Sequence, residues 1–445
     1  MDDTKMGTMP VRPLLLRMAW PMMLSMLIQA LYNLVDSMFV SRLSGAAFQA
    51  LSLAYPVQMF MVAVCVGAGV GLNALLSKRL GQGDRAEARA VALNGIFLYL
   101  LCWLLFLSFG LFLTRPFMAF FTADPAIAAP GRTYLTIVTC VSVGMTMQFA
   151  TERVLLACGD AVGPMVIQGV GAVVNLVMDP LLIFGPGPFP ALGVAGAAVA
   201  TVLGQLTGMT VGLLLLRRLR RLPLSPRGFR PRGDILAEIC RVGIPAAAMQ
   251  SLSSVMTLGL NKIMALYDPG AVFILGAYFK LQSFLIMPVS GMTNGLTPLV
   301  AYNYGARSRE RILALTRFAL TLGAAIMALG ALLLALLPGQ LLGLFGAEPA
   351  VLSSGIPALR SIAAGLICAG ITTILCAVLQ ALGAAGTSLL LSLLRQVVLI
   401  LPAAWFLGRI GPGLMWLSFP LAEGLSCLAA LFLFRRICRK QLSEL

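Results

Sequence analysis

The 445-residue sequence contains no histidine, and only 11% of its residues are charged. Without histidine, neither a histidine-ligated metal centre nor a histidine proton relay can form. A soluble domain usually has about 25% charged residues, so a soluble globular fold is not expected. The nine cysteines show neither metal-site spacing nor a disulfide framework, and no cleavable signal peptide is expected. The composition therefore excludes most soluble metalloenzymes and disulfide-rich secreted domains.

The sequence has long apolar segments instead, and 59% of its residues are hydrophobic. Each segment has about 20 to 29 residues, enough to cross a bilayer core of roughly 30 Å as a helix. The segments are 14–40, 48–76, 92–113, 132–156, 163–184, 192–216, 238–264, 272–300, 314–337, 356–380, 388–408 and 413–434. We therefore predict an all-α integral membrane protein with twelve transmembrane helices.

The net charge of +16 is concentrated in alternate loops. The densest basic run, at 217–233, follows the sixth segment, and a second run at 435–440 ends the chain. Because lysine and arginine favour the cytoplasmic side of a membrane, we predict that both termini and the central loop are cytoplasmic. The basic residues then indicate topology and contact with anionic lipid, with no nucleic-acid partner.

The sequence also repeats weakly at an offset of 224 residues. Among the matched pairs are Phe121 with Phe345, Pro125 with Pro349, Gly67 with Gly291, Gly71 with Gly295, and Pro21 with Pro245. We predict two six-helix lobes, residues 1–216 and 235–445, joined by a basic cytoplasmic linker at 217–234. An even number of spans per repeat relates the lobes by a pseudo-twofold along the membrane normal, with a cavity between them.

Two carboxylates, Asp36 and Asp179, lie within apolar runs, where a charge costs roughly 2.5–3.5 kcal/mol even on a lenient insertion scale. Acids kept there usually line an aqueous cavity and bind a cation or a proton. We predict a cation-coupling site from Asp36 and Asp179 with their neighbours at helical spacing, Tyr32, Asn33 and Asn175, to which Thr201 in the sixth segment could add a hydroxyl. Two alternatives stay open: each acid only joins two helices by a hydrogen bond, or Thr201 only bonds its own helix backbone.

Further polar and flexible residues are assigned more loosely. A substrate cavity is predicted from Gln29, Met26, Met178, Gln250, Lys280 and Gln282. Arg395 and Glu423 are predicted to form a structural ion pair or a relay in the second lobe. Pro21, in the middle of the first segment, is predicted to be a hinge, with a static kink as the alternative. Glu152 and Arg153, near the end of the fourth segment, are interpreted as interfacial charges.

With these residues in view, the chain resembles the multidrug and toxin extrusion (MATE) family, and most closely the bacterial drug-efflux branch near the DNA-damage-inducible group. The resemblance rests on these motifs: Pro21 with Gln29, YNLVD at 32–36, FVSRL at 39–43, GLNALLSKRLGQGD at 71–84, NLVMDPLLIFG at 175–185, GLTPLVAYNYGA at 295–306 and RQVVLILP at 395–402. It implies the V-shaped MATE fold. A monomer is the default expectation, and no cofactor is expected. The resemblance also implies export of amphipathic, mostly cationic compounds driven by H⁺ or Na⁺, with the ion held at Asp36 and Asp179.

Two other functions are weighed against this one. A lipid-linked sugar flippase of the same superfamily should have a cavity rich in arginine and lysine for a pyrophosphate group. An intramembrane aspartyl protease could share a proton between two carboxylates, but twelve spans are more than it needs. The sequence does not choose between Na⁺ and H⁺, because oxygen ligands suit Na⁺ and paired carboxylates suit a proton.

Overall fold

The computed structural model describes residues 5–41, 43–185, 190–219, 222, 224 and 229–442, with the side chains of residues 32–38, 40, 41, 269 and 350 outside the described residues. Every regular element in this part of the chain is helical. The first half forms α1 (Lys5–Thr8), α2 (Val11–Ser41), α3 (Gly45–Gly81), α4 (Arg85–Ser108), α5 (Thr114–Phe121), α6 (Pro125–Cys140), α7 (Val143–Ala157), α8 (Val162–Phe184) and α9 (Val194–Arg217). A π-helical turn at Phe109–Leu113 joins α4 to α5.

The second half begins with one long helix and follows a similar order. It forms α10 (Gly233–Tyr267), α11 (Pro269–Gly305), α12 (Arg309–Leu336), α13 (Pro338–Gly343), α14 (Pro349–Ala363), α15 (Leu366–Ala381), α16 (Ala385–Leu393), α17 (Ile400–Ile410) and α18 (Ser418–Gln441). A π-helical turn at Leu394–Leu399 joins α16 to α17, and a 3₁₀ turn at Pro412–Leu417 precedes α18. All nine cysteines are free thiols.

The long apolar helices match the predicted spans. In the described residues, ten helices or helical runs are long and apolar enough to cross a membrane, and two bent pairs raise the number to twelve. The pair α6 and α7 bends by 42°, and the pair α14 and α15 bends by 44°. The two bends occur at the same place in each repeat, as do the turn glycines Gly159 and Gly383, whose φ angles are 81° and 82°. The all-helical membrane fold predicted from the sequence is confirmed, and the repeat extends to backbone conformation.

The chain divides into two compact units by its own contacts. The first unit comprises Met1–Lys5 and Leu24–Ala247, and the second comprises Met6–Met23 and Ala248–Leu445. The division therefore cuts α2 and α10. It differs from the predicted lobes, because the first part of α2 belongs to the second unit and the first part of α10 belongs to the first unit. We call residues 6–23 and 233–247 the entry arms. The two exchange points are 224 residues apart, which is the period of the repeat.

Glycines on α3 receive the entry arm of α10 in the first unit. A Cβ added at Gly71 would lie 2.2 Å from the carbonyl oxygen of Ile239, and one at Gly67 would lie 2.5 Å from that of Gly243. Glycines four residues apart let two helix backbones approach closely, as in membrane helix pairs. The lack of side chains at Gly67 and Gly71 lets the entry arm of α10 pack directly against α3. We call such a pair of glycines the seat of an arm.

The second unit has the equivalent seat on α11. A Cβ at Gly291 would lie 2.5 Å from Cα of Met23, and one at Gly295 would lie 2.9 Å from the carbonyl carbon of Met18. The glycines that the repeat pairs in sequence, Gly67 with Gly291 and Gly71 with Gly295, therefore perform the same task. Each one admits the entry arm that its unit receives.

The start of the arm in the second unit is held by hydrogen bonds from Arg311 and Asn303. Arg311 Nη2 donates to the carbonyl oxygens of Met6 at 3.1 Å and Met9 at 2.7 Å. Its Nε donates to Asn303 Oδ1 at 3.0 Å, and Asn303 Nδ2 also donates to the Met6 carbonyl. These bonds satisfy carbonyls at the end of α1 that have no partner within their own helix.

Candidate functional site

The first unit contains a cavity of about 600 Å³, within the range of about 300–1,000 Å³ usual for small-molecule sites. Its walls come from α2, α3, α6, α7, α8 and α9. The lining combines aromatic and methionine side chains with polar ones, and the polar members are Gln29, Ser52, Tyr55, Gln58, Tyr134, Gln148, Glu152, Gln168, Asn175, Thr201 and Gln205. Within the described residues no arginine or lysine contributes to this lining, so its one charged group is the carboxylate of Glu152.

Glu152 is the polar centre of the cavity wall. Its side chain is 3% exposed, and each carboxylate oxygen accepts one bond from a neutral amide. Gln148 Nε2 donates to Oε1 at 3.0 Å, and Gln168 Nε2 donates to Oε2 at 3.1 Å. Gln168 in turn accepts a hydrogen bond from Ser25. The chain of bonds from α2 through α8 to α7 fixes the orientation of the carboxylate.

This burial overturns the interpretation of Glu152 and Arg153 as interfacial charges. Arg153 is buried as well, at 7% exposure, and a Cβ at Gly69 would lie 2.8 Å from its Nε. The bend between α6 and α7 places α7 inside the unit, where nearly every residue from Gly144 to Ala157 is buried. Hydropathy taken along one straight span does not reveal this bend, and so it does not reveal that α7 is buried. The available signal was the glutamine Gln148, one turn before Glu152 on the same face.

Small residues on α9 set the distance to the helices that hold these polar groups. A Cβ at Gly208 would lie 2.7 Å from Gln148 Oε1, and one at Gly204 would lie 3.1 Å from Cβ of Asn175. Helix α9 can therefore approach both α7 and α8 closely, as small residues permit in membrane proteins. The amide of Gln148 is held between α9 and Glu152.

The predicted cation-coupling residues on α8 and α9 lie together beside the cavity. Asp179 is fully buried, Asn175 is 2% exposed, and Asn175 Nδ2 donates to Thr201 Oγ1 at 3.4 Å. Thr201 also donates to the carbonyl of Ala197 at 3.0 Å, so it bonds its own helix and Asn175 at once. Asn175 and Thr201 line the cavity, whereas Asp179 is not part of the lining. Pro180, inside α8, has no amide hydrogen to donate to the preceding turn.

The predicted partners on α2 are Asp36, Tyr32 and Asn33. The helix backbone continues through them, but their side chains lie outside the described residues. Their part in the cation site stays a prediction. Pro21 is buried within the same helix, two residues before the exchange point at Met23, and its role as a hinge also stays a prediction.

The residues predicted for the substrate cavity are divided by the structure. Gln29 lines the cavity of the first unit. Met26 and Met178 are half-buried and do not belong to the lining. The remaining three belong to the second unit, where Gln250 and Lys280 are exposed and Gln282 is half-buried; Lys280 Nζ lies 5.9 Å from the centre of the Phe345 ring.

Arg395 and Glu423 lie close together in the second unit. Arg395 Nη1 is 3.5 Å from Glu423 Oε2, and the two side chains are 20% and 13% exposed. Arg395 is in the π-helical turn between α16 and α17, a local widening of the helix that often occurs at functional positions. The distance is that of an ion pair. Its role, as a structural ion pair or as a relay, stays a prediction.

Comparison with known proteins gives a consistent result. The sequence model of the MatE family matches residues 21–181 and again 245–406, so the duplication predicted from the sequence corresponds to two copies of one family unit. An FAD transporter of Shewanella oneidensis is 28% identical over 443 residues, covering 96% of this chain and 95% of the relative. The multidrug export protein MepA of Staphylococcus saprophyticus is 25% identical, covering 93% and 91%.

The fold agrees with a solved structure. A multidrug resistance MATE family transporter in an outward-facing conformation matches with a TM-score of 0.93 and 23% identity, covering 100% of this chain and 99% of that chain. Two family matches, many apolar helices and a transporter fold exclude the intramembrane protease. The DNA-damage-inducible branch stays a prediction. The chain belongs to the multidrug and toxin extrusion family of membrane transporters.

Proposed function

We propose that this transporter is a secondary exporter that drives amphipathic, mostly cationic compounds out of the cell with an inward flow of H⁺ or Na⁺. The observation that carries the proposal is the fully buried Asp179 beside a cavity where Glu152 is the one charged group among the described lining residues. A carboxylate is retained inside a membrane protein chiefly where it exchanges a cation or a proton. The relatives named as multidrug export proteins support drug export as the activity.

The residues around Asp179 suit a transiently bound ion. Asn175 Oδ1 is buried and accepts no hydrogen bond from the described residues, and Thr201 Oγ1 lies 3.4 Å from the same side chain. Oxygen ligands of this kind suit a hard cation, and a carboxylate suits a proton. Coupling requires that ion and drug bind the two states of the transporter with different affinities.

Transport in reconstituted vesicles tests the proposal. Ethidium export by the purified chain is measured with a Na⁺ gradient and a pH gradient imposed separately, for the wild type, Asp179→Asn and Asp36→Asn. We expect export driven by one gradient only, reduced to the passive leak in both variants. Asp124→Asn is the matched control, because Asp124 is exposed and caps α6 through Oδ1, a bond that asparagine can also make. Gradient-driven export that survives both variants would contradict the proposal.

A second candidate is export of a flavin dinucleotide, which the FAD transporter of Shewanella oneidensis favours by its 28% identity over nearly the whole chain. The glutamine amides and aromatic rings of the cavity could contact a flavin ring. Its diphosphate, however, would meet a carboxylate with no arginine or lysine in the described lining. The same lining disfavours a lipid-linked pyrophosphate. Gradient-driven export of FAD in the same vesicles, with no export of ethidium, would establish this candidate instead.

The proposed setting is the bacterial inner membrane, with the chain as a monomer and both termini in the cytoplasm. The basic segments at 217–233 and 435–440 support this orientation. A thiol-reactive probe that cannot cross membranes tests it on a cysteine introduced next to the carboxyl terminus. Labelling in inside-out vesicles and not in intact cells is the expected result.

A further inference from the structure

We propose that Cys368 on α15 and Cys427 on α18 form a dithiol site for neutral, lipophilic compounds of trivalent arsenic such as aryl arsenoxides. The two thiols act together as a bidentate ligand, so that one arsenic atom bridges the two helices. Both helices belong to the second unit, and neither cysteine lines the cavity of the first unit. The site is therefore a binding function in addition to the proposed export.

The two thiols are in direct contact. The side chains of Cys368 and Cys427 share a hydrogen bond, and Cys427 forms a second one with the hydroxyl group of Thr372. Thr372 Oγ1 donates to the carbonyl oxygen of Cys368 at 2.9 Å, and a hydroxyl oxygen that donates can still accept a bond from a thiol. Both cysteines are free thiols. Thr372 therefore holds the pair in position for one shared ligand.

Close packing of α15 against α18 one turn earlier accounts for this contact. A Cβ added at Gly365 would lie 2.9 Å from Cα of Pro420 and 3.4 Å from Cβ of Glu423, so the missing side chain lets the two backbones approach. Cys368 follows Gly365 by three residues and shares its helix face. Cys427 follows Glu423 by four residues and shares that face of α18. The two thiols therefore meet because of the helix register, which gives the pair a fixed geometry.

The place of the dithiol within the membrane spans selects a neutral ligand. Cys368 lies near the middle of the bent span formed by α14 and α15, and Cys427 lies near the middle of the span Pro412–Gln441. Cys368 is half-buried, and its neighbour Ile367 and the neighbour of Cys427, Leu428, are exposed apolar side chains. A charged metal ion loses its hydration when it approaches across such a surface. A compound that is neutral and partitions into lipid does not have this cost.

The chemistry of the site needs no other reactant. Soft sulfur ligands suit a soft centre such as trivalent arsenic, and phenylarsine oxide reacts with two thiols to give a phenylarsenic dithiolate and one molecule of water. Two S–H bonds and the bonds from arsenic to oxygen break, two arsenic–sulfur bonds form, and both thiol protons leave with the oxygen. Arsenic stays trivalent and sulfur is not oxidised. Because closing the second arsenic–sulfur bond is intramolecular, two thiols in contact hold arsenic far more firmly than one.

Binding of phenylarsine oxide to the reduced, purified full chain is measured by intact-protein mass spectrometry in the presence of excess monothiol. We expect Cys368→Ser and Cys427→Ser each to bind one arsenical fewer than the wild type, because the concentration needed for equal occupancy should rise by about 100- to 10,000-fold without the second thiol. Cys438→Ser is the matched control, because Cys438 is a half-buried thiol on the same helix as Cys427, and it should bind as many arsenicals as the wild type. Wild-type stoichiometry in Cys368→Ser or Cys427→Ser would overturn the proposal.

A measurement on the wild type keeps the test decisive if a variant fails to fold. The arsenical-treated protein is unfolded, alkylated with N-ethylmaleimide and digested, and the peptides that contain cysteine are identified by mass. We expect Cys368 and Cys427 to escape alkylation together, and both to be alkylated once an excess of dimercaptopropanol has removed the arsenic. Cys438 should be alkylated in either case. Alkylation of Cys368 or Cys427 to the same extent with and without the arsenical would refute the dithiol site.

Discussion

The close packing of the entry arm of α10 against α3 predicts how much the substitution Gly71→Ala lowers the free energy of unfolding. The added Cβ would lie 2.2 Å from the carbonyl oxygen of Ile239, so the entry arm of α10 must retreat by about 1 Å to reach an ordinary contact distance. A gap of that size forfeits about a quarter to a half of the dispersion energy of the contacts it opens. Overpacking in a close interface costs about 1–3 kcal/mol, of which the better helix propensity of alanine returns at most about 1 kcal/mol.

The net expectation is a loss of about 1–2 kcal/mol in the free energy of unfolding. Gly169→Ala in α8 is the matched control, because no atom lies within 4 Å of its added Cβ, and it should be neutral or stabilising. Gly295→Ala, whose nearest contact would be 2.9 Å, should fall between the two. Unfolding by sodium dodecyl sulfate, followed by tryptophan fluorescence of the purified protein, gives the order. Equal stability of Gly71→Ala and Gly169→Ala would refute the steric reasoning.

Two further outcomes follow from contacts in the second unit. Replacing Glu423 by Gln leaves the guanidinium of Arg395 without its charge partner, so we expect a loss of about 3 kcal/mol in the same unfolding assay. The double replacement by methionine at both positions should recover much of that loss, and a double variant no more stable than the single one would contradict the ion-pair account. Replacing Arg311 by Ala removes the donor to the Met6 and Met9 carbonyls. We expect faster amide hydrogen exchange in residues 6–12 with little change elsewhere, and unchanged exchange there would show that other contacts hold the arm.

The twelve spans were predictable from the sequence because membrane thickness fixes how long an apolar helix must be. The bends within two of the spans were not. Both breaks, at 141–142 and 364–365, occur without proline, at residues that hydropathy does not distinguish from their neighbours. The repeat was a better guide to backbone conformation than hydropathy. Gly159 and Gly383, which lie one repeat period apart, both adopt a positive φ.

The site was only partly predictable. Asn175, Asp179 and Thr201 were found because a carboxylate in an apolar run is conspicuous and helical spacing identifies its neighbours. Glu152 was missed because it lies near the end of its segment, where a charge is usually exposed. Its burial depends on the bend before α7 and on the amide of Gln168, which come from packing. Gln148, one turn away on the same helix, was the local signal.

The exchanged entry arms have a consequence for how the chain can be divided. A cut in the basic linker at 217–234 would separate the two family repeats, yet each fragment would carry an arm whose seat is on the other fragment. Neither fragment could cover its own pair of glycines, so the backbone beside them would be left without its packing partner. Produced together, the fragments should restore both units, because each supplies the entry arm that the other lacks. The duplication has therefore created a protein whose halves are alike in sequence but are not independent as folded bodies.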